Sequence, residues 1–162
     1  MFFFTAGCAR RDAKSEDAGS PVPSVTAQRD EDLSRLPQAG GSLDDQLKAE
    51  AAARTPGSPS LERLIGALMS QGVKLAPTRQ VYGRKHLATY CATGEATGIV
   101  VIVCEYPNAE QAARGETESN LMFNQMSGHV SKVHKNAVLH LVARSDAPVD
   151  DVAKIQGVFR TL

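Results

Sequence analysis

The sequence has no tryptophan and few aromatic residues, and this scarcity excludes several classes of protein. Only 5% of the 162 residues are Phe, Trp or Tyr, so platforms for stacking nucleic-acid bases are scarce. Lys plus Arg equals Asp plus Glu, at 18 each, whereas nucleic-acid binding is typical of basic domains. No apolar run approaches the roughly 18 residues that a membrane-spanning helix needs. We therefore predict no nucleic-acid partner and no spanning helix.

The N-terminus joins a short apolar run to a motif of small residues. Three phenylalanines, at positions 2–4, precede Ala6-Gly7-Cys8. Small residues before a cleavage point fit the pocket of a signal peptidase, and the motif resembles the end of a bacterial lipoprotein signal peptide. Thr5 departs from the family, which usually carries Leu there, and the apolar run is shorter than in a complete signal peptide. We expect the true start codon to lie upstream.

The resemblance implies both an anchor and a compartment. Residues 1–7 would be the remnant of the signal peptide, and Cys8 would carry the lipid that holds the chain to the membrane. The compartment would be the bacterial cell envelope. In a cell with two membranes, the resemblance points to the outer membrane, because Ala9 rather than Asp follows the cysteine.

Residues 8–58 have the composition of a disordered linker. Between positions 10 and 32, charged residues mix with Ser, Pro, Gly and Gln, and the few apolar residues show no period. Such a segment buries too little apolar surface to offset the entropy of ordering. Residues 43–54 are good helix formers, with Ser42 as a candidate cap. An isolated helix of that length is nevertheless marginal in water, so we predict a tether.

Residues 59–162 have the patterns of a single α+β domain. Apolar spacing predicts helices between Ser58 and Gly72, from Asn108 to about Met126, and from 146 to the C-terminus. Strands are predicted at 73–81, 86–93, 99–106, 129–134 and 137–144. The resulting order, α-β-β-β-α-β-β-α, predicts a mainly antiparallel sheet with the helices packed on one face. Residues 99–104 are apolar at every position, which is typical of a central strand.

Besides Cys8, the chain has two cysteines, Cys91 and Cys104. In an oxidising compartment such a pair would usually form a disulfide, but the predicted hairpin argues against this bond. If residues 94–98 form the loop, Cys91 faces Val101 and Cys104 lies three positions further along. Three residues at ~3.3 Å each give ~10 Å, and a disulfide tolerates only about 7 Å between Cα atoms. We therefore expect two buried, unbonded thiols.

The four histidines form no recognised metal motif, and no Cys-x-x-Cys is present. His129 and His134 are five positions apart, so a regular strand places them on opposite faces. His140 shares a face with the valines at 138 and 142, which predicts a half-buried position at the edge of the core.

Two hypotheses about function follow. Without a catalytic or cofactor motif, we assign no catalytic residue, metal or cofactor. The chain is predicted to be a membrane-anchored extracytoplasmic lipoprotein, acting as a binding or structural module with another envelope protein as the candidate partner. The alternative is an enzyme or metal-binding protein whose site is assembled from residues distant in sequence. Its candidates are His86, His129, His134 and Cys91, and their convergence in the fold would favour this alternative.

Overall fold

The computed structural model describes residues 25–36 and 41–162. In chain order, the helices are α1 (Val25–Arg35), α2 (Leu43–Ala52), α3 (Leu61–Met69), α4 (Ala109–Phe123) and α5 (Val149–Phe159). The strands are β1 (Ala76–Val81), β2 (Tyr90–Ala96), β3 (Ile99–Glu105), β4 (His129–His134) and β5 (Ala137–Ala143), and a single-turn 3₁₀ helix (Gly83–His86) separates β1 from β2. The predicted order from α3 onward and the α+β class are confirmed.

The five strands form one antiparallel sheet in the order β1-β2-β3-β5-β4. β3 lies at its centre, as the apolar sequence of that strand predicts. Its residues alternate between the two faces: Val101 and Val103 are buried, whereas Val100 is 38% exposed. At one edge, the pairing of β1 with β2 shifts register between Pro77 and Arg79.

Helices cover both faces of the sheet. α3 and α5 pack on one face around the larger core, in which Leu64 and Ile155 are fully buried. α4 covers the opposite face, where Ala112 packs with Cys104 and Tyr106. The prediction of one helical face therefore holds for α3 and α5 but not for α4. Gly115 is the residue of α4 that allows the helix to pack closely on this face, because a Cβ added there would collide with the Tyr106 ring. It is the feature of the sequence that points to a second helical layer.

The predicted tether of residues 8–58 contains two helices that dock on the domain, which corrects the prediction for its described part. The Ser42 and Asp45 capping box begins α2. The Glu50 carboxylate is buried and accepts hydrogen bonds from the backbone N–H groups of Gly83 and Arg84, at 3.0 and 3.1 Å. Tertiary contacts thus supply the stability that the isolated helix lacks. The linker residues before 25 and at 37–40, Cys8 among them, lie outside the described residues.

Two ion pairs join α1 to α4. Asp32 accepts a hydrogen bond from Arg114 at 2.8 Å, and Arg29 pairs with Glu118. Asp32 and the following Leu36 are both buried. A segment that appears polar and aperiodic in the sequence therefore forms a helix that ion pairs join to α4.

Cys91 and Cys104 form a disulfide with their Cα atoms 4.1 Å apart, so the prediction of unbonded thiols is wrong. The hairpin turn is shorter than predicted: Ala96 pairs with Ile99, and this register places the two cysteines directly opposite each other. The predicted turn is too long because Gly94 belongs to β2 rather than to the turn. A Cβ there would lie 3.0 Å from the Ala76 carbonyl oxygen, so this glycine permits the close approach of β1.

Thiol titration of the full chain carrying Cys8→Ser tests this bond. The denatured, unreduced protein is expected to show no thiol, and reduction should release two. Reduction should also lower the free energy of unfolding by roughly 3 kcal/mol, the value for closing a loop of about 15 residues. Two reactive thiols before reduction would contradict the register of β2 and β3.

Candidate functional site

Three histidines converge under α4, on the sheet face that carries the disulfide. His140 lies in the middle of β5, His129 begins β4, and His86 ends the 3₁₀ helix. The ring centroids of His86 and His129 lie 5.7 and 6.0 Å from that of His140. Phe123, the last residue of α4, stacks beside them, with its ring centroid 4.9 Å from that of His129. Four separate elements thus build one cluster, which we call the histidine cluster (His86, Phe123, His129 and His140).

His140 is the buried centre of the cluster. Only 1% of it is exposed, so the half-buried position predicted from the sequence is wrong. The strand pairing places Ser131 opposite His140, and the Ser131 Oγ lies 2.9 Å from His140 Nδ1 and 3.3 Å from His129 Nε2. Burial lowers the pKa of His140 to about 3, with smaller contributions from His86 and His129. The ring is therefore neutral at physiological pH.

His86 approaches the cluster from a tight turn. The following residue, Leu87, has a φ of 55° and caps the 3₁₀ helix in the left-handed region. The Tyr106 hydroxyl fixes this turn by donating a hydrogen bond to the His86 carbonyl oxygen at 2.9 Å. Burial, followed by the charge of Lys85, lowers the pKa of His86. Burial also lowers the pKa of His129, so the neutral form, which can ligate a metal, is favoured throughout the cluster.

Among the side chains that the structure describes, two buried ring nitrogens of the cluster have no hydrogen-bond partner. They are His86 Nδ1 and His140 Nε2. One ring nitrogen from each of these histidines and the Cys104 Sγ lie within 4.8 Å of one another. Within the described part of the chain, this is the group of side chains with the spacing to hold a metal ion. In the structure, its sulfur is bonded to Cys91.

The structure brings together some of the candidates from the sequence and separates others. His86 and His129 join the cluster. His134 lies on the opposite face, where its ring meets the edge of Phe159 at 6.0 Å, as the odd spacing from His129 predicts. Cys91 occupies the disulfide rather than a ligand position. Sequence reasoning missed His140 and Cys104 as site residues, and the signal that would have found them is the cross-strand register.

The Ser131 and His140 pair has the spacing of a nucleophile and its base, but its surroundings do not suit acyl transfer. A general base works best when its pKa lies near the working pH, and that of His140 is lowered to about 3. Among the residues that the structure describes, no carboxylate holds the far nitrogen of this ring, since His140 Nε2 has no partner there. Both residues are also buried. We therefore interpret Ser131 as a residue that orients the two histidine rings.

A surface groove runs beside the cluster, between α1 and the C-terminal half of α4. Arg29, Lys85, Glu118, Leu121 and Met122 line it, and it has a volume of about 490 Å³. Leu121 and Met122 are 65% and 49% exposed, so the groove combines apolar surface with charges of both signs.

None of the described helices is long and apolar enough to cross a membrane. The chain matches no protein-family model, no curated protein and no solved structure.

Proposed function

We propose that this chain is an extracytoplasmic lipoprotein, anchored to the membrane by a lipid on Cys8, whose folded domain is a binding or structural module. The observation that carries the proposal is the Ala6-Gly7-Cys8 motif after an apolar run. Its location is the bacterial cell envelope, and Ala9 after the cysteine favours the outer membrane in a cell with two membranes. The candidate partner is another envelope protein.

A second observation supports this compartment independently of the N-terminus. The domain contains a fully buried disulfide between β2 and β3. Disulfides persist in secreted and periplasmic proteins and are rare in the reducing cytosol. The domain is also small, and small secreted domains commonly use disulfides to supplement a limited core. The bond therefore agrees with export of the chain.

The binding role rests on exposed side chains in the described surface. Leu121 and Met122 offer apolar surface beside Arg29, Lys85 and Glu118. Protein interfaces are enriched in Met and Arg and surround their apolar centre with polar groups. This composition fits a protein partner better than a nucleic acid, which would need an excess of positive charge.

Replacing Cys8 by Ser tests the anchor. In bacteria that express the gene from its own locus, the unaltered protein should be found in the membrane fraction and incorporate labelled fatty acid. The Cys8→Ser protein should lose the label and leave the membrane fraction or stay unprocessed, because the lipid is the proposed attachment. Ser15→Ala, a small change in the same segment, is the matched control and should behave as the parent. Membrane association that survives Cys8→Ser would sink the proposal.

A further inference from the structure

The histidine cluster contains two buried nitrogen atoms that form no hydrogen bond with any residue that the structure describes. His140 Nε2 belongs to a side chain that is 1% exposed, and His86 Nδ1 is shielded from solvent in the same place. Burying a polar atom without a partner costs free energy. Since one ring nitrogen of each of these histidines also lies within 4.8 Å of the Cys104 Sγ, a ligand bound by the three side chains would offset this cost.

The environment of His140 prepares its free nitrogen to bind a metal ion. We assign the proton of the neutral ring to Nδ1, which donates to the Ser131 Oγ at 2.9 Å. The Ser131 hydroxyl can then donate to His129 Nε2 at 3.3 Å, which satisfies all three groups. The lone pair of His140 is left on Nε2. Metal-binding histidines characteristically donate their other ring N–H in this way, which fixes the tautomer and the direction of the ring.

The third donor of the group is a cysteine sulfur that the disulfide prevents from ionising. Cys104 Sγ and one nitrogen each of His86 and His140 lie within 4.8 Å of one another. Zinc binds such a set of sulfur and nitrogen donors at about 2.3 and 2.0–2.1 Å, and the sulfur ligand is the thiolate. The three atoms therefore lie close enough for a rearrangement of their side chains to bring them to these distances.

We propose that the dithiol form of this domain binds Zn²⁺ through the Cys104 thiolate, His86 and His140, and that the Cys91–Cys104 disulfide abolishes the site. The two states exclude each other because one sulfur serves both. The protein is therefore a zinc binder when its thiols are free and a disulfide-stabilised module when they are oxidised.

The interconversion balances as an ordinary thiol–disulfide exchange. A dithiol reductant attacks one sulfur of the disulfide, forms a mixed disulfide and is released as its own disulfide, leaving Cys91 and Cys104 as thiols. Two electrons and two protons pass to the protein. Zinc binding then displaces one proton from the Cys104 thiol. Both cysteines are fully buried, so the domain must open locally before the reductant can react.

Two single substitutions separate loss of the disulfide from loss of the ligand. In the full chain carrying Cys8→Ser, Cys91→Ser removes the disulfide but leaves Cys104 free, whereas Cys104→Ser removes both. Titration with Zn²⁺ alone should show that Cys91→Ser binds zinc more than about 100-fold more tightly than Cys104→Ser. The difference should exceed the roughly 10–100-fold that loss of a residue supporting a ligand costs, because Cys104→Ser removes a ligand itself. Titration with Co²⁺ should give a thiolate-to-cobalt absorption band only with Cys91→Ser. Zinc should also raise the midpoint of thermal unfolding of that variant only.

Further variants locate the nitrogen ligands. In the Cys91→Ser chain, His86→Gln or His140→Gln should weaken zinc binding, while His134→Gln on the opposite face should leave it unchanged. Equal zinc affinity for Cys91→Ser and Cys104→Ser, or no cobalt–thiolate band with Cys91→Ser, would overturn the proposal.

The chain with both cysteines provides a test that does not depend on how either variant folds. Oxidised protein carrying Cys8→Ser should not bind zinc tightly. The same protein, after reduction with a phosphine that does not compete as a thiol, should bind one equivalent. Failure of the reduced, folded chain to bind would also overturn the site, and it would leave the proposed lipid anchor untouched.

Discussion

Replacing Val101 by Asp is expected to unfold the domain. Val101 is fully buried in the larger core, on the sheet face that α3 and α5 cover. A carboxylate there has no partner and loses its hydration, which costs several kcal/mol. Domains of this kind have about 5–15 kcal/mol of stability in total, and a buried unpaired charge is among the few single changes that remove most of it.

The neighbouring residue supplies the matched control. Val100 lies on the opposite face of the same strand and is 38% exposed, so Val100→Asp keeps its charge in contact with water. We expect it to cost about 1 kcal/mol, the range of strand propensity. Urea unfolding followed by circular dichroism measures the free energy of unfolding of both variants. Similar losses for the two variants would contradict the alternation of β3.

Removal of the Arg54 side chain is expected to lower the free energy of unfolding by about 3–5 kcal/mol, the usual cost of breaking a buried ion pair. Arg54 donates to the Glu105 carboxylate at 2.6 Å, and Glu105 is only 2% exposed. The same guanidinium binds Glu62 through two hydrogen bonds, at 3.0 and 2.8 Å, and lies 4.3 Å from the centroid of the Tyr90 ring. Arg54→Ala would leave the Glu105 charge buried without compensation.

Two comparisons make this result specific. Lys48 pairs with Asp44 on the exposed side of α2, and Lys48→Ala should cost less than about 1 kcal/mol. Burial already raises the pKa of Glu105, against the influence of Arg54, so adding Glu105→Gln to Arg54→Ala should recover part of the loss. An Arg54→Ala protein as stable as the Lys48→Ala protein would show that the segment after α2 is not anchored.

The elements that could be predicted from the sequence are those whose pattern is local. Helical spacing in α3 and α5 and the apolar run of β3 each follow from a stretch of neighbouring residues. α2 could be recognised as a helix former, but not as part of the domain. Its docking depends on Glu50 meeting the backbone of Gly83 and Arg84, more than thirty positions away, and a sequence pattern contains no trace of such a contact.

The candidate site could be predicted only in part, because its residues come from separate elements. Their meeting depends on the register of three strands. An error of a few residues in one predicted hairpin turn therefore changes which residues face each other along both strands. Gly94 illustrates this: its residue type predicts a turn, but it lies in β2 against β1. The longer predicted turn therefore places Cys91 and Cys104 three positions out of register. The pattern of β5 alone likewise predicts a half-buried His140, because it contains no sign of Ser131 and His86, which contact the ring from other elements.

The irregularity of β1 has a consequence for the behaviour of many copies of the protein together. The outermost strands of a sheet can recruit strands from other molecules and so begin aggregation. β1 resists this because Pro77 has no N–H to donate and its register shifts there. β4 forms the other edge and exposes Lys132, whose charge disfavours stacking of identical chains. If Cys8 confines the protein to a membrane plane, where copies meet often, these two features would help to keep crowded neighbours apart.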